Sequence, residues 1–345
     1  VLGVSCFGQP TVISLSVKRR RKVVLLSAVL ALCFLAIASL FVGAASVSVE
    51  QFFNVITRHD SQPSQSALII FELRLPRTLL AMIAGAALAV GGVVMQTLFR
   101  NPLAEPGLVG VSAGASMGAV LALWLGFNSF AVTSLSAWLG ALLASWLAWW
   151  VAKRNPMPSQ LLLAGVAINA LVMSLVSLLM SLSDDQTLRS IVFWSLGSLA
   201  RAQLGPVLAV GFLVLLVLFG LQRQSQSLNA LLLGSHQARH VGLNVNRFRT
   251  QLIVIIALLV APVVALTGVI SFVGLVVPNL LRLRMGTDHR GLLPAAACLG
   301  AMAVLLADML CRVMVQPAEL PVGVITSLVG APFFIYMLWC RPVKT

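Results

Sequence analysis

Residues 78–98 read TLLAMIAGAALAVGGVVMQTL, an apolar run with no charged side chain, closed by Arg77 before it and Arg100 after it. A helix rises about 1.5 Å per residue, and roughly 20 apolar residues cross the hydrocarbon layer of a bilayer. The run therefore predicts a transmembrane helix. Working outward with the same ruler, further spans are predicted near 23–43, 108–126, 131–151, 161–182, 205–221, 250–268, 270–284, 292–313 and 324–340, ten in all. The eighth is short and contains Pro278. Apolar residues make up 59% of the 345 and charged ones 9%, a balance that no water-soluble surface of this size supports. The predicted fold class is all-α: a polytopic membrane protein with one transmembrane domain over 23–345. Residues 1–22 precede it as a tail, and 1–17 are expected to be disordered.

Charge tests this count independently, because cytoplasmic loops concentrate Lys and Arg. With the N-terminus inside, 17 of the 23 basic residues fall in cytoplasmic segments. Arg58, Arg74, Arg77, Arg189, Arg201 and Arg312 remain outside. One span more or fewer in the middle scrambles the alternation, so both termini are expected in the cytoplasm. The net charge of +14 then reflects topology and contact with anionic lipid. The basic residues are scattered among loops, so no nucleic-acid partner is expected. The cluster Lys18–Lys22 and the triplet Gly43-Ala44-Ala45 imitate a signal peptide, but the run between them exceeds a signal h-region. An uncleaved first span is expected.

Several chemistries lack their residues. Cys6, Cys33, Cys298, Cys311 and Cys340 lie far apart with no CxxC, and fit packing better than a disulfide framework or metal site. The spans hold almost no ionisable group. Asp308 is the main exception, four residues before Arg312, where an i,i+4 pair neutralises it. A proton-coupled carrier needs a titratable group near the midplane, and none is expected. No GxxxxGK[ST] loop exists among the four lysines, so this chain does not bind ATP itself. Gly110-Val111-Ser112-Ala113-Gly114 matches the GxSxG nucleophile elbow, but it opens a helix instead of following a strand. No histidine falls in a span to serve as base, which weighs against a serine protease. His236 and His240 share a helical face as an incomplete two-ligand set, so the metal prediction is none. Small residues are dense at Gly85, Gly91, Gly92, Gly110, Gly114 and Gly118, and suit close helix packing in lipid.

Two blocks carry a resemblance. The first runs from Leu73-Arg74-Leu75-Pro76-Arg77 through Met95-Gln96 and Asn101-Pro102-Leu103-Ala104-Glu105-Pro106-Gly107 to Gly110-Val111-Ser112. The second comprises Phe272-Val273-Gly274-Leu275-Val276-Val277-Pro278, Thr287-Asp288-His289-Arg290, Leu306-Ala307-Asp308, Glu319-Leu320-Pro321-Val322-Gly323 and Gly330-Ala331-Pro332-Phe333. The chain resembles the FecCD family of ABC importer permeases from about residue 22 onward. Two departures stand out: Asn279 where many relatives carry histidine, and Pro158 where threonine is usual.

The resemblance implies a type II ABC importer permease fold of ten spans in a bacterial inner membrane, acting as a homodimer. Two separate ATPase subunits bind ATP and Mg on the cytoplasmic face, and a periplasmic binding protein delivers cargo. This chain itself is then a transport subunit with no catalytic residue and no cofactor. It implies that Arg74, Arg77 and Arg312 dock the binding protein, a task guanidinium suits because it forks onto carboxylates. It places ATPase coupling in the connection at about 222–249, on Gly234, Ala238, Arg239 and Gly242. It places a cytoplasmic gate at Asn101, Leu103 and Ser159. The overall likeness is nearest the haem-uptake permeases, with ferric siderophore and vitamin B12 as alternatives and a secondary transporter as a different class. The path along the dimer axis is expected to be broadly apolar, with no His, Tyr or Met cluster as a haem-iron ligand.

Overall fold

The computed structural model describes residues 17–43, 65–153, 157–314 and 319–340. The tail 1–16 and the basic residues Arg58, Arg154, Arg341 and Lys344 lie outside that range. Among the described residues there are helices and turns and no strand. The α-helices of six or more residues are α1 (Val17–Phe41), α2 (Leu75–Phe99), α3 (Val111–Trp124), α4 (Phe130–Ala152), α5 (Pro158–Ser181), α6 (Asp185–Ser195), α7 (Leu204–Arg223), α8 (Ser225–Leu232), α9 (Ser235–His240), α10 (Val245–Thr267), α11 (Val273–Met285), α12 (His289–Met314) and α13 (Val322–Cys340). Each of the ten predicted spans coincides with one of these. Among the described residues, seven helical segments are long and apolar enough to cross a membrane.

The apolar run 78–98 becomes the buried axis. A helix that is apolar on every side belongs inside, and α2 is buried along most of its length. It packs mainly against α12, α10 and α11. Its glycines set the spacing. A Cβ on Gly85 would collide with the Gly300 carbonyl of α12, and one on Gly92 with the Gly274 carbonyl of α11. Gly114 and Gly118 on α3 meet Gly140 and Ser136 on α4 in the same way. The small-residue faces are therefore packing faces. Ahead of α2, residues Ile69–Arg74 form one π-helical turn that buries Arg74 and leaves Glu72 and Leu73 exposed.

Two predicted spans are shorter than a bilayer. α3 has 14 residues and α11 has 13, about 20 Å each at helical rise. They start partway through the fold because the connections before them turn inward. Residues 101–110 bury Ala104, Pro106, Val109 and Gly110, and Pro106 fits against Gly91 and Gly274. The other connection turns at Gly268 (φ 70°) and Phe272 (φ 67°). Non-helical backbone is tolerated at membrane depth only where protein or a cavity surrounds it. Pro278 removes a donor from α11, and side chains supply others nearby. Asn279 Nδ2 donates to the Leu275 and Pro102 carbonyls at 2.9 Å each. The residue that departs from the family pattern thus ties α11 to the turn after α2.

Candidate functional site

α2 and α12 run antiparallel, so their ends define two poles. At the first, the three arginines assigned to docking come together, two of them on one acid. Arg77 Nε donates to Asp308 Oδ1 at 2.8 Å, Arg77 Nη1 to Glu319 Oε2 at 2.7 Å, and Arg312 Nη2 to Asp308 Oδ2. Arg312 Nη1 also reaches the Ser39 carbonyl at 3.1 Å, and Arg74 Nη1 the Leu40 carbonyl at 2.7 Å. Asp308 is fully buried, while Glu319 retains 45% of its side-chain surface. The expected i,i+4 pair is present, but Arg77 shares the same carboxylate. Arg74, Arg77 and Arg312 are 6%, 8% and 5% exposed and look into a cavity of about 300 Å3 beside Glu319. They are a recessed, internally anchored cluster, and Glu319 is the member that reading by charge alone missed.

The second pole gathers the residues assigned to coupling and gating. Gly234 (φ 111°) and Gly242 (φ 85°) bracket α9, a conformation that L side chains adopt at a cost. Ala238 is fully buried and faces the chain's own core, whereas Arg239 is exposed. The apolar surface this region presents is Leu233 and Val241, 65% and 74% exposed. Neither was singled out in the sequence, because isolated apolar residues in a polar connection carry no periodicity. His236 and His240 hydrogen-bond to each other at 3.1 Å. No metal-binding group of three is present among the described residues.

α8 is fastened to the core by a chain of polar contacts. Asn229 Oδ1 accepts from the His289 backbone at 2.9 Å and lies 2.7 Å from His289 Nδ1. The other ring nitrogen lies 2.7 Å from Thr97 Oγ1 on α2, and Asn229 Nδ2 donates to Asp288 Oδ1 at 2.8 Å. That orientation of the amide makes Nδ1 the protonated nitrogen when the ring is neutral. Four residues past Thr97, Asn101 Oδ1 accepts from the Leu103 amide at 2.9 Å and shapes the turn. Leu103 is exposed there. Ser159 is exposed in the first turn of α5 and makes no hydrogen bond to Asn101 or Leu103 among the described residues.

Between the poles lies a cavity of about 570 Å3 walled by α3, α5, α6 and the Pro106–Val109 turn. One titratable group lines it. Glu105, assigned from sequence to a connection, is carried inward with Pro106 and lines this cavity together with Ser112, Asn169 and Met173. No hydrogen bond or ion pair reaches its carboxyl among the described residues, and burial alone pushes it above the usual carboxylate range. Ser112 shares this lining with Glu105 but with no histidine, so the nucleophile-elbow motif has no histidine base.

The profile of the FecCD transport family matches residues 22–340. The hemin transport system permease protein of Yersinia pestis is 43% identical over 314 residues, covering 89% of this chain and 92% of its own. The vitamin B12 import system permease protein of Salmonella paratyphi A is 42% identical over 277 residues, covering 80% and 85%. Among solved structures, an inward-facing metal-chelate type ABC transporter superposes with TM-score 0.84 at 34% identity, over 93% of this chain and all of that one. A Streptococcus pneumoniae structure, PsaBC in complex with Fab, shares the fold alone, with TM-score 0.57 at 18% identity. Buried glycine crossings, two half-length helices begun by inward turns and polar clusters at opposite poles all sit on sequence shared along nearly the whole chain, which belongs to the FecCD transport family as the permease subunit of an ABC importer.

Proposed function

We propose that this permease carries haem across the bacterial inner membrane as a homodimer. A periplasmic binding protein docks at the Arg74, Arg77 and Arg312 pole, and two ATPase subunits that bind ATP and Mg seat against α8 and α9 at the other. The observation that carries the substrate is the 43% identity to the hemin permease along most of both chains. The orientation is supported by the excess of Lys and Arg toward the Gly234–Gly242 pole and both termini. The recessed arginines suit a docking protein whose carboxylates reach into the cavity beside Glu319 and exchange with it. Leu233, Val241 and Arg239 suit an ATPase cleft with an apolar floor and an acidic rim. Asn101, Leu103 and Ser159 close the path at that same pole.

Vitamin B12 is a second reading, favoured by the permease 42% identical to this chain. Proteoliposomes holding this chain and its ATPase, supplied with haem-loaded binding protein, test the first reading. ATP-dependent haem accumulation is the expected result. Uptake of cyanocobalamin in place of haem favours the second, and haem uptake indifferent to ATP overturns both.

A further inference from the structure

The central cavity has a chemical bias that its apolar appearance conceals. Several of its polar side chains present acceptors with no donor left to offer. Ser116 Oγ donates its proton to the Ser112 carbonyl at 3.0 Å and Ser177 Oγ to the Met173 carbonyl at 2.9 Å, so both oxygens keep only lone pairs for the cavity. Asn169 Nδ2 donates to the Gly107 carbonyl at 3.0 Å, and its buried Oδ1 has no donor. Glu105 is the sole ionisable residue in the lining, and no cationic side chain answers it. Met173 and Met180, two helical turns apart on α5, add thioethers to the same wall. A half-buried carboxyl without a partner loses part of its hydration with nothing in return. Here no internal contact explains it, so the group suits an electropositive visitor.

We propose that this cavity is a transit site for metal-chelate cargo, in which a Glu105 carboxylate oxygen serves as a weak axial ligand to the metal. This rests on the haem reading and adds to it the residue that meets the iron. Oxygen donors suit hard cations, and thioethers suit softer ones. With ferric haem, one iron–oxygen bond to Glu105 forms as one iron–water bond breaks. The water leaves the site, any proton on the carboxyl leaves with it, and the iron stays ferric. A single carboxylate holds a ferric chelate loosely, which is compatible with onward release.

The test compares ferric haem with metal-free protoporphyrin, which has the same propionates and ring, on the purified full-length dimer by absorbance titration. The expected result is about tenfold tighter binding of ferric haem than of the metal-free ring, a preference that disappears in Glu105→Gln. Equal affinities in the wild type overturn the proposal, and so does a metal preference that survives the substitution. Glu105→Gln removes no internal partner and is expected to melt at or above the wild-type temperature; a lower melting temperature would show that the carboxyl is structural and also overturn it. ATP-driven haem uptake by wild-type proteoliposomes is measured alongside. Uptake with a Glu105-independent metal preference sinks the site and leaves the function, whereas absent uptake sinks the function and leaves the binding comparison to judge the site.

Discussion

Replacing Asp308 by Asn keeps the size of the side chain and removes the one fully buried negative charge at the docking pole. Two guanidinium groups depend on it: Arg77 at 2.8 Å, and Arg312 one helical turn away. At an effective dielectric of about 20, opposite charges about 4 Å apart attract by about 4 kcal/mol. The desolvation that Asp308 no longer suffers offsets much of the loss. Breaking a buried pair from one side costs about 3–5 kcal/mol in comparable cases. The lower end applies here, because Arg77 keeps Glu319 and Arg312 keeps the Ser39 carbonyl. We therefore expect Asp308→Asn to cost about 3 kcal/mol. Glu319→Gln, at 45% side-chain exposure, should cost about 1 kcal/mol or less. Unfolding of the detergent-solubilised dimer by titration with a denaturing detergent measures both. Adding Arg312→Met to Asp308→Asn removes one of the two stranded cations, so the double variant should lose less than the sum of the single losses. Equal costs for Asp308→Asn and Glu319→Gln, or strict additivity in the double variant, would refute the picture of a buried acid shared by two arginines.

The same cluster changes how docking should be probed: Arg77→Glu would set a third acid beside Asp308 and Glu319, so Arg74→Gln is the cleaner variant, expected to weaken binding-protein association measured on immobilised dimer while leaving ATPase assembly intact. Val241→Asp, on a residue 74% exposed, should reduce co-purification of the ATPase without lowering the melting temperature. Gly85→Leu, whose side chain would enter the Gly300 backbone, should cost about 3 kcal/mol or more by forcing α2 from α12 and should reduce dimer yield in size-exclusion chromatography. With its carboxyl held above the ordinary value, Glu105 favours the folded state most below its unfolded pKa, near 4.3, and that contribution is lost as pH rises toward the folded value. The stability difference between wild type and Glu105→Gln should follow that fall, and a difference that does not change with pH would refute it.

What the sequence made legible follows from what periodicity and charge record. Lipid imposes a length on apolar runs, so each of the ten predicted spans coincides with a helix, whereas the short helices α6, α8 and α9 left no such run. Their partners were partly visible as well, because Gly85, Gly92, Gly114 and Gly118 fall at helical spacing and mark faces of close approach. Depth was not legible. Glu105 stands among Asn101, Pro102 and Gly107 in a stretch with every mark of a surface turn, and only the fit of Pro106 against Gly91 and Gly274 shows that the turn enters the core. Pairing across long separations was hidden for a similar reason. The contact between Asp308 and Arg312 is local and was read from spacing, whereas the contact between Arg77 and Asp308 spans 231 positions. The small residues assigned to coupling illustrate a third limit. Gly234 and Gly242 are required by backbone angle and Ala238 by burial, so spacing alone named the region without telling which side chains it presents.

The two poles share one mechanical element. α2 carries Arg77 in its first turn and Thr97 in its last, and between them its glycines bring backbone against α12 and α11 with no side chain to absorb a shift. Close backbone packing of this kind leaves little room for local rearrangement, so a displacement at either end is expected to pass along the helix. At the far end Thr97 meets His289, His289 meets Asn229, and Asn229 belongs to α8, the helix proposed to feel the ATPase. Beyond Thr97 the chain turns through Asn101 and Leu103 and re-enters the fold at Glu105. Asn101 and Leu103, two of the residues proposed to gate the path, and the residue proposed to meet its cargo thus follow the end of the helix that α8 contacts. One helix, held by a buried acid at one pole and a buried histidine at the other, thus links the proposed docking cluster to α8.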